Sequence, residues 1–139
     1  MKTYLLDTGV LVALLKGRSG AVRLIRPWIL RQEVATSVPV YGEAIEHLRG
    51  DPNYSQRQAE LRILLRSVTP YPLTYKILER YATLRRAMRP PFGPGLIGDI
   101  DTLIAATALE RRLTLVTIDG DFTRVPDLSL MHLERSALK

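Results

Sequence analysis

A chain of 139 residues with 46% hydrophobic residues and 20 Lys+Arg against 14 Asp+Glu, a formal charge of +6, is long enough to bury about two thirds of the surface its unfolded form exposes, so a single domain over residues 1–139 is expected. The absence of cysteine excludes a disulfide framework and a thiolate metal site, leaving oxygen ligands or His47 and His132 for any metal, an inventory that suits hard cations. No run of about eighteen uncharged apolar residues occurs, and the amino terminus reads directly into a strand rather than into a basic and apolar leader, so a soluble, cytoplasmic chain with no membrane partner is expected.

Thr3 to Leu6 is a β-branched and aliphatic run that reads as a strand buried on both faces. Asp7-Thr8 then caps a helix from Gly9 to Lys16. After the break at Gly17 to Gly20, a second helix over 21–32 places Val22, Ile25 and Ile29 on one side, and Pro27 should kink or restart it. Val34 to Val38 reads as a second strand, and Pro39 sits in the first turn of a helix that carries Glu43, Ala44, His47 and Leu48 to the stop at Gly50-Asp51-Pro52.

A fourth helix starts at Asn53 or Ser55, with Ala59, Ile63, Leu64 and Val68 inward, Arg57, Arg62 and Arg66 outward, and a stop at Pro70. Tyr71-Pro72-Leu73 is a short third strand. Thr74 caps a fifth helix with Ile77, Leu78, Tyr81 and Leu84 inside. Residues 89–98 hold three prolines and three glycines, which excludes regular structure there. Asp101 to Arg112 is a sixth helix whose apolar residues surround every face, the pattern of a buried helix. Thr114 to Ile118 is a fourth strand and Leu128 to Met131 a fifth, with a turn at Val125-Pro126-Asp127 between them. Strands alternating with helices imply crossover connections and a three-layer α/β sandwich around a mainly parallel sheet of four to five strands.

Ligands of such sheets bind beyond the carboxyl ends of the strands, where Asp7 and Asp119 fall. Asp101 lies in the first turn of its helix, where exposed N–H groups favour a carboxylate. Each acid has an ordinary explanation: Asp7 and Asp99 or Asp101 as caps, Asp119-Gly120 as a turn, Glu43 as an exposed helical acid. Together they do not, because two carboxylates about 5 Å apart repel by roughly 3 kcal/mol at an effective dielectric of 20. A divalent cation is the economical compensation. Magnesium or manganese takes one or two carboxylates directly and leaves other acids to orient its waters. Phosphodiester hydrolysis needs that assembly, and the surplus of cations, sixteen of the twenty being arginine, suits a polyanion.

The acidic segments carry a resemblance. Leu5-Leu6-Asp7-Thr8, Tyr41-Gly42-Glu43-Ala44, the run Ile100-Asp101-Thr102-Leu103-Ile104-Ala105-Ala106, and Val116-Thr117-Ile118-Asp119 with Asp121-Phe122 resemble, in order and spacing, the motifs of PIN-domain ribonucleases of the VapC toxin type. The likeness runs end to end, the third segment being the most diagnostic. It implies a PIN-like fold over the whole chain and a metal-dependent endoribonuclease acting as the toxin of a type II toxin–antitoxin pair. It implies Asp7, Glu43, Asp101 and Asp119 as the catalytic acids, with Asp7, Asp101 and Asp119 on Mg2+ or Mn2+. An RNA substrate, an antitoxin encoded alongside and a homodimer are implied as well.

Gly9 stands where that family commonly has Asn or Ser, so a hydrogen bond to the opening aspartate or its water is missing. Asp99 reads as a helix cap or an acid beyond the metal's direct ligands. Asp121 competes with Asp119, which is favoured because it follows the strand Thr at the family spacing. Thr8 and Thr117 are candidates to orient carboxylates through their hydroxyls. Arg57, Arg62, Arg66, Arg80, Arg85, Arg86 and Arg89 are candidates for an RNA-facing rim; the other readings are a solvated surface and a docking face for an acidic antitoxin. Glu43-x-x-Glu46-His47 lacks the second Glu-x-x-His helix of carboxylate-bridged metal bundles. The rival functions are a non-catalytic or housekeeping RNA-binding protein of the same fold, to which Gly9 is the pointer, and a phosphotransfer domain, which needs a lysine after a late strand that Lys2, Lys16, Lys76 and Lys139 do not supply.

Overall fold

The computed structural model describes residues 1–139. Five strands form one sheet in the order β3-β2-β1-β4-β5, every neighbouring pair parallel. They are β1 (Tyr4–Leu6), β2 (Val34–Ser37), β3 (Thr69–Tyr71), β4 (Thr114–Thr117) and β5 (Leu130–His132). Parallel strands covered on both faces need apolar side chains on both, and Leu5, Leu6, Val34, Ala35, Leu115 and Val116 are all buried.

Six helices supply the covers: α1 (Thr8–Leu15), α2 (Ser19–Leu30), α3 (Val38–Leu48), α4 (Tyr54–Leu64), α5 (Tyr75–Met88) and α6 (Asp99–Arg111). Helix α1 packs on α2, α3 and α4, and α5 packs along α6. Since β1, β2 and β3 succeed one another in one direction and the chain then crosses back to β4, right-handed crossovers place these two groups of helices on opposite faces. The result is the expected three-layer sandwich. The direction of travel reverses between β1 and β4, and crevices beyond the strand ends open at such points.

Several local expectations are corrected. Helix α2 runs unbroken through Pro27, because Arg23, whose carbonyl loses its amide partner, and Pro27 are exposed, so water can solvate the freed carbonyl. Ala21, Ile25 and Trp28 anchor the helix, and the Trp28 ring stacks on Tyr4 with centroids 3.8 Å apart. Pro70 does not stop a helix; it sits inside β3, an edge strand, where a missing N–H costs no ladder bond on the open side. In α4, Leu61 is the buried residue and Ala59 and Ile63 face solvent; in α5, Leu78 is exposed and Met88 buried. Both helices present a narrower apolar stripe than the periodicity suggested. Helix α6 begins at Asp99, with Gly98 as N-cap.

Helix α6 is as buried as its composition predicts. Thr102, Ile104, Ala105, Ala106, Thr107 and Ala108 are all shielded, and the two threonine hydroxyls donate to the carbonyls of Gly98 and Leu103, so neither is left unpaired. Two short 3-10 helices carry no periodic signal in the sequence: Gly120–Arg124, after β4, and Arg135–Leu138 near the carboxyl end. The second packs on α2, with the Gly20 amide donating to the Lys139 carbonyl at 2.7 Å. A Cβ at Gly20 would lie 2.3 Å from the Ala137 carbonyl oxygen, so only glycine admits this approach.

Candidate metal centre

Asp7 follows the last residue of β1 and is buried, with 7% of the residue exposed. It occupies the N-cap position of α1 without making a side-chain cap bond. Instead Oδ2 accepts from the Thr117 hydroxyl at 2.6 Å, and the Asp119 amide donates to the same hydroxyl oxygen at 3.0 Å. The end of β4 is thus tied to the end of β1 through one buried threonine. On the other side the Thr36 hydroxyl of β2 donates to the Leu6 carbonyl at 2.9 Å. Thr36 was not singled out from sequence; a lone threonine in an apolar strand carries no signal of that role.

Glu43 arrives from the second turn of α3, and its Oε1 accepts from the Thr8 hydroxyl at 2.6 Å. Asp101 arrives from the first turn of α6. One carboxylate oxygen from each of Asp7, Glu43 and Asp101 lies within 4.8 Å of the others. Three elements far apart in sequence therefore converge on one point at the carboxyl edge of the sheet. The acids line an open cavity of about 520 Å³, together with Asp119, Glu46 and His47.

Crowding and burial show in the proton affinities. Burial raises the Asp101 pKa to about 6, aided by the charges of Asp7, Glu43, Asp119 and Asp121. Burial also raises Asp7, while the hydrogen bonds from Thr117 and the Thr8 backbone pull it down and the Glu43 and Asp119 charges push it up. A cation among these groups would reverse that balance. The donor set is all carboxylate oxygen, the chemistry of Mg2+ and Mn2+, so the residues present fit the expected group.

Asp119 stands outside the closest trio. It borders the same cavity, but its Oδ1 accepts from the Asp121 amide at 2.9 Å and caps the 3-10 helix Gly120–Arg124. Asp121 is exposed and pairs with Arg124 at 3.0 Å. Asp99 is engaged elsewhere: it lies inside α6 rather than capping it and accepts from Arg85 and Tyr81. Gly9 and Ile118 line the cavity, and a Cβ at Gly9 would press on the Ile118 side chain at 3.1 Å. One further atom is notable. The Ser37 hydroxyl, at the end of β2, is buried with no hydrogen-bond partner.

Of the arginines singled out from sequence, Arg57 is held by Asp51 and Glu60, Arg80 by Glu110, and Arg85 by Asp99. Arg62, Arg66, Arg86 and Arg89 are exposed and make no ion pair. No helix is long and apolar enough to cross a membrane.

Solved structures share this architecture over nearly the full chain. VapBC2 from Rickettsia felis, bound to a DNA fragment from its promoter, includes a chain 25% identical, with a TM-score of 0.82 and coverage of 95% of this chain and 99% of that one. A toxin–antitoxin complex from Klebsiella pneumoniae gives 26% identity, a TM-score of 0.72 and coverage of 95% and 99%. VapBC-1 from nontypeable Haemophilus influenzae, at 24% identity and a TM-score of 0.77 with coverage of 94% and 97%, shares the fold. No curated protein matches the chain. The PIN domain family matches residues 4–128, a span that takes in every strand except β5 and all four acids, and the chain belongs to that family.

Proposed function

We propose that this chain is a divalent-metal-dependent endoribonuclease and the toxin of a VapBC-type toxin–antitoxin pair, with Asp7, Glu43, Asp101 and Asp119 as its catalytic acids. The observation that carries the reading is the convergence of Asp7, Glu43 and Asp101 within 4.8 Å in a chain whose net charge is +6. A protein that only bound RNA would gain nothing from an anionic trio facing the phosphates, and the trio's mutual repulsion would weaken both fold and binding.

Asp7, Asp101 and Asp119 are assigned to the metal, Mg2+ or Mn2+. A cation held by these residues would supply an acidified water and positive charge against the phosphodiester oxygens. The protein's own groups set the geometry. Thr117 fixes which Asp7 oxygen is free, and Thr8 occupies Glu43 Oε1, which leaves Oε2 to accept a proton from water. The exposed Arg62, Arg66, Arg86 and Arg89 supply cations for an RNA-facing rim, where contacts set affinity without reading sequence. The neighbouring folds come from toxin–antitoxin complexes, which supports a cognate antitoxin as partner. A homodimer and a cytoplasmic location complete the proposal.

The test is cleavage of single-stranded RNA by the purified chain. Cutting is expected with Mg2+ or Mn2+, none in EDTA, and a loss of at least a hundredfold in Asp7→Asn and Asp101→Asn. RNA that is bound but left intact under both metals would establish the non-catalytic reading instead.

A further inference from the structure

A second cavity, of about 330 Å³, adjoins the acidic one and shares Thr8, Gly9, His47 and Ile118 with it. Its character is opposite. Lys16, Arg18, Arg135 and Lys139 line it beside His47, and no acidic side chain does. None of these four cations takes part in an ion pair, whereas Arg31, Arg57, Arg80, Arg85 and Arg124 all do. The Lys16 ammonium lies 3.3 Å from His47 Nε2. The imidazole adds no negative charge to the cavity wall in either tautomer. Four like charges around one hollow repel each other, and a bound polyanion is the natural counter-charge.

The placement is directional. Thr8 begins α1 at the acidic cavity and Lys16 closes it, a separation of about 12 Å along the helix axis. Gly9 and Ile118 stand at the junction, and with no side chain at residue 9 the way between the cavities is kept open.

We infer that this cavity is a phosphate subsite: Lys16, Arg18 and Arg135 bind the RNA backbone next to the bond being cut, so that the strand leaves the acids along α1. The inference rests on the nuclease reading of the acidic site. It differs from the rim of arginines on and just after α4 and α5, which belong to other segments of the chain. The docked 3-10 helix Arg135–Leu138 acquires a purpose here, since it delivers Arg135 to the cavity wall.

The test is fluorescence anisotropy of a labelled single-stranded RNA on the Asp101→Asn chain across a potassium chloride series. Each phosphate contact on a single strand contributes about 0.7 to the slope of log K against log salt. Adding Lys16→Gln and Arg135→Gln should lower the slope by about 1.4 and weaken binding roughly tenfold at low salt, with an unchanged melting temperature. Adding Arg23→Gln and Arg26→Gln on α2, outside the cavity, should change neither slope nor affinity. In the otherwise native chain the Lys16→Gln/Arg135→Gln double variant should raise KM and leave kcat intact, whereas the charge-keeping Lys16→Arg/Arg135→Lys pair should keep the native KM. The subsite is overturned if the two pairs behave alike, or if RNA binding is untouched while an acidic peptide loses affinity. A native chain that cuts no RNA under either metal overturns the nuclease reading itself, an outcome the binding series does not mimic.

Discussion

Replacing Asp101 by Asn should make the metal-free protein more stable, not less. At 4.8 Å, two unit charges repel by about 3.5 kcal/mol at an effective dielectric of 20, and Asp101 faces both Asp7 and Glu43 across such distances. Solvent reaches the half-buried Asp101 carboxylate and screens it, so the net relief is on the order of 1 to 2 kcal/mol. For a domain of this size that is a rise of roughly 5 °C in Tm. The sign follows from linkage. The folded pKa of about 6 lies above the ordinary 3.8, so the destabilisation is fully present above the folded value and fades as pH falls towards the unfolded one. The advantage of Asn should therefore be largest near neutral pH in EDTA and vanish near pH 4. Magnesium should invert the order, raising the native Tm by mass action and the variant's much less. Thermal unfolding of both chains, in EDTA and in magnesium, reads all of this. If the variant melts at or below the native chain in EDTA at neutral pH, or if both gain equally from magnesium, Asp101 neither crowds Asp7 and Glu43 nor holds the cation.

Three further outcomes follow from the same geometry. Thr117→Val removes the hydroxyl from Asp7 Oδ2 and from the Asp119 amide, which should cost about 1 to 3 kcal/mol in denaturant unfolding and weaken Mn2+ binding by calorimetry, while Thr117→Ser keeps both properties. Asp119→Asn should reduce RNA cleavage far more than Asp121→Asn, because Asp119 borders the acidic cavity and Asp121 is turned outward to Arg124; equal losses would promote Asp121 to the same role. Protons compete with the cation at Asp101, so Mn2+ affinity should fall steeply as pH drops through about 6; a flat profile down to pH 4.5 would remove Asp101 from the ligands.

The parallel sheet and the acids at its carboxyl edge were legible because they rest on local signals. Short apolar runs ended in Asp, and the all-round apolar helix after Asp101 could only be a buried one. What the sequence hid depends on tertiary context. Pro27 reads as a kink or restart, yet exposure of the freed carbonyl lets α2 continue. Pro70 reads as a stop, yet an edge strand tolerates it. Asp99 had the place of a cap, but the nearby Arg85 and Tyr81 of α5 claim it. The site shows the same division. Motif spacing named the four acids, whereas the distance that brings three together and sets Asp119 apart is a property of the assembled fold. The cations beside the site were missed for a different reason. Lys16 and Arg18 lie more than a hundred residues from Arg135, and no periodicity links a turn after α1 to a 3-10 helix at the far end of the chain.

The most direct measurement is anomalous diffraction from a crystal of the native chain soaked in Mn2+. The account predicts a manganese peak at the carboxyl edge of the sheet within about 2.3 Å of carboxylate oxygens from Asp7 and Asp101, lost in crystals of Asp101→Asn. No peak at saturating Mn2+, or one bound away from Asp7, Glu43 and Asp101, would contradict it.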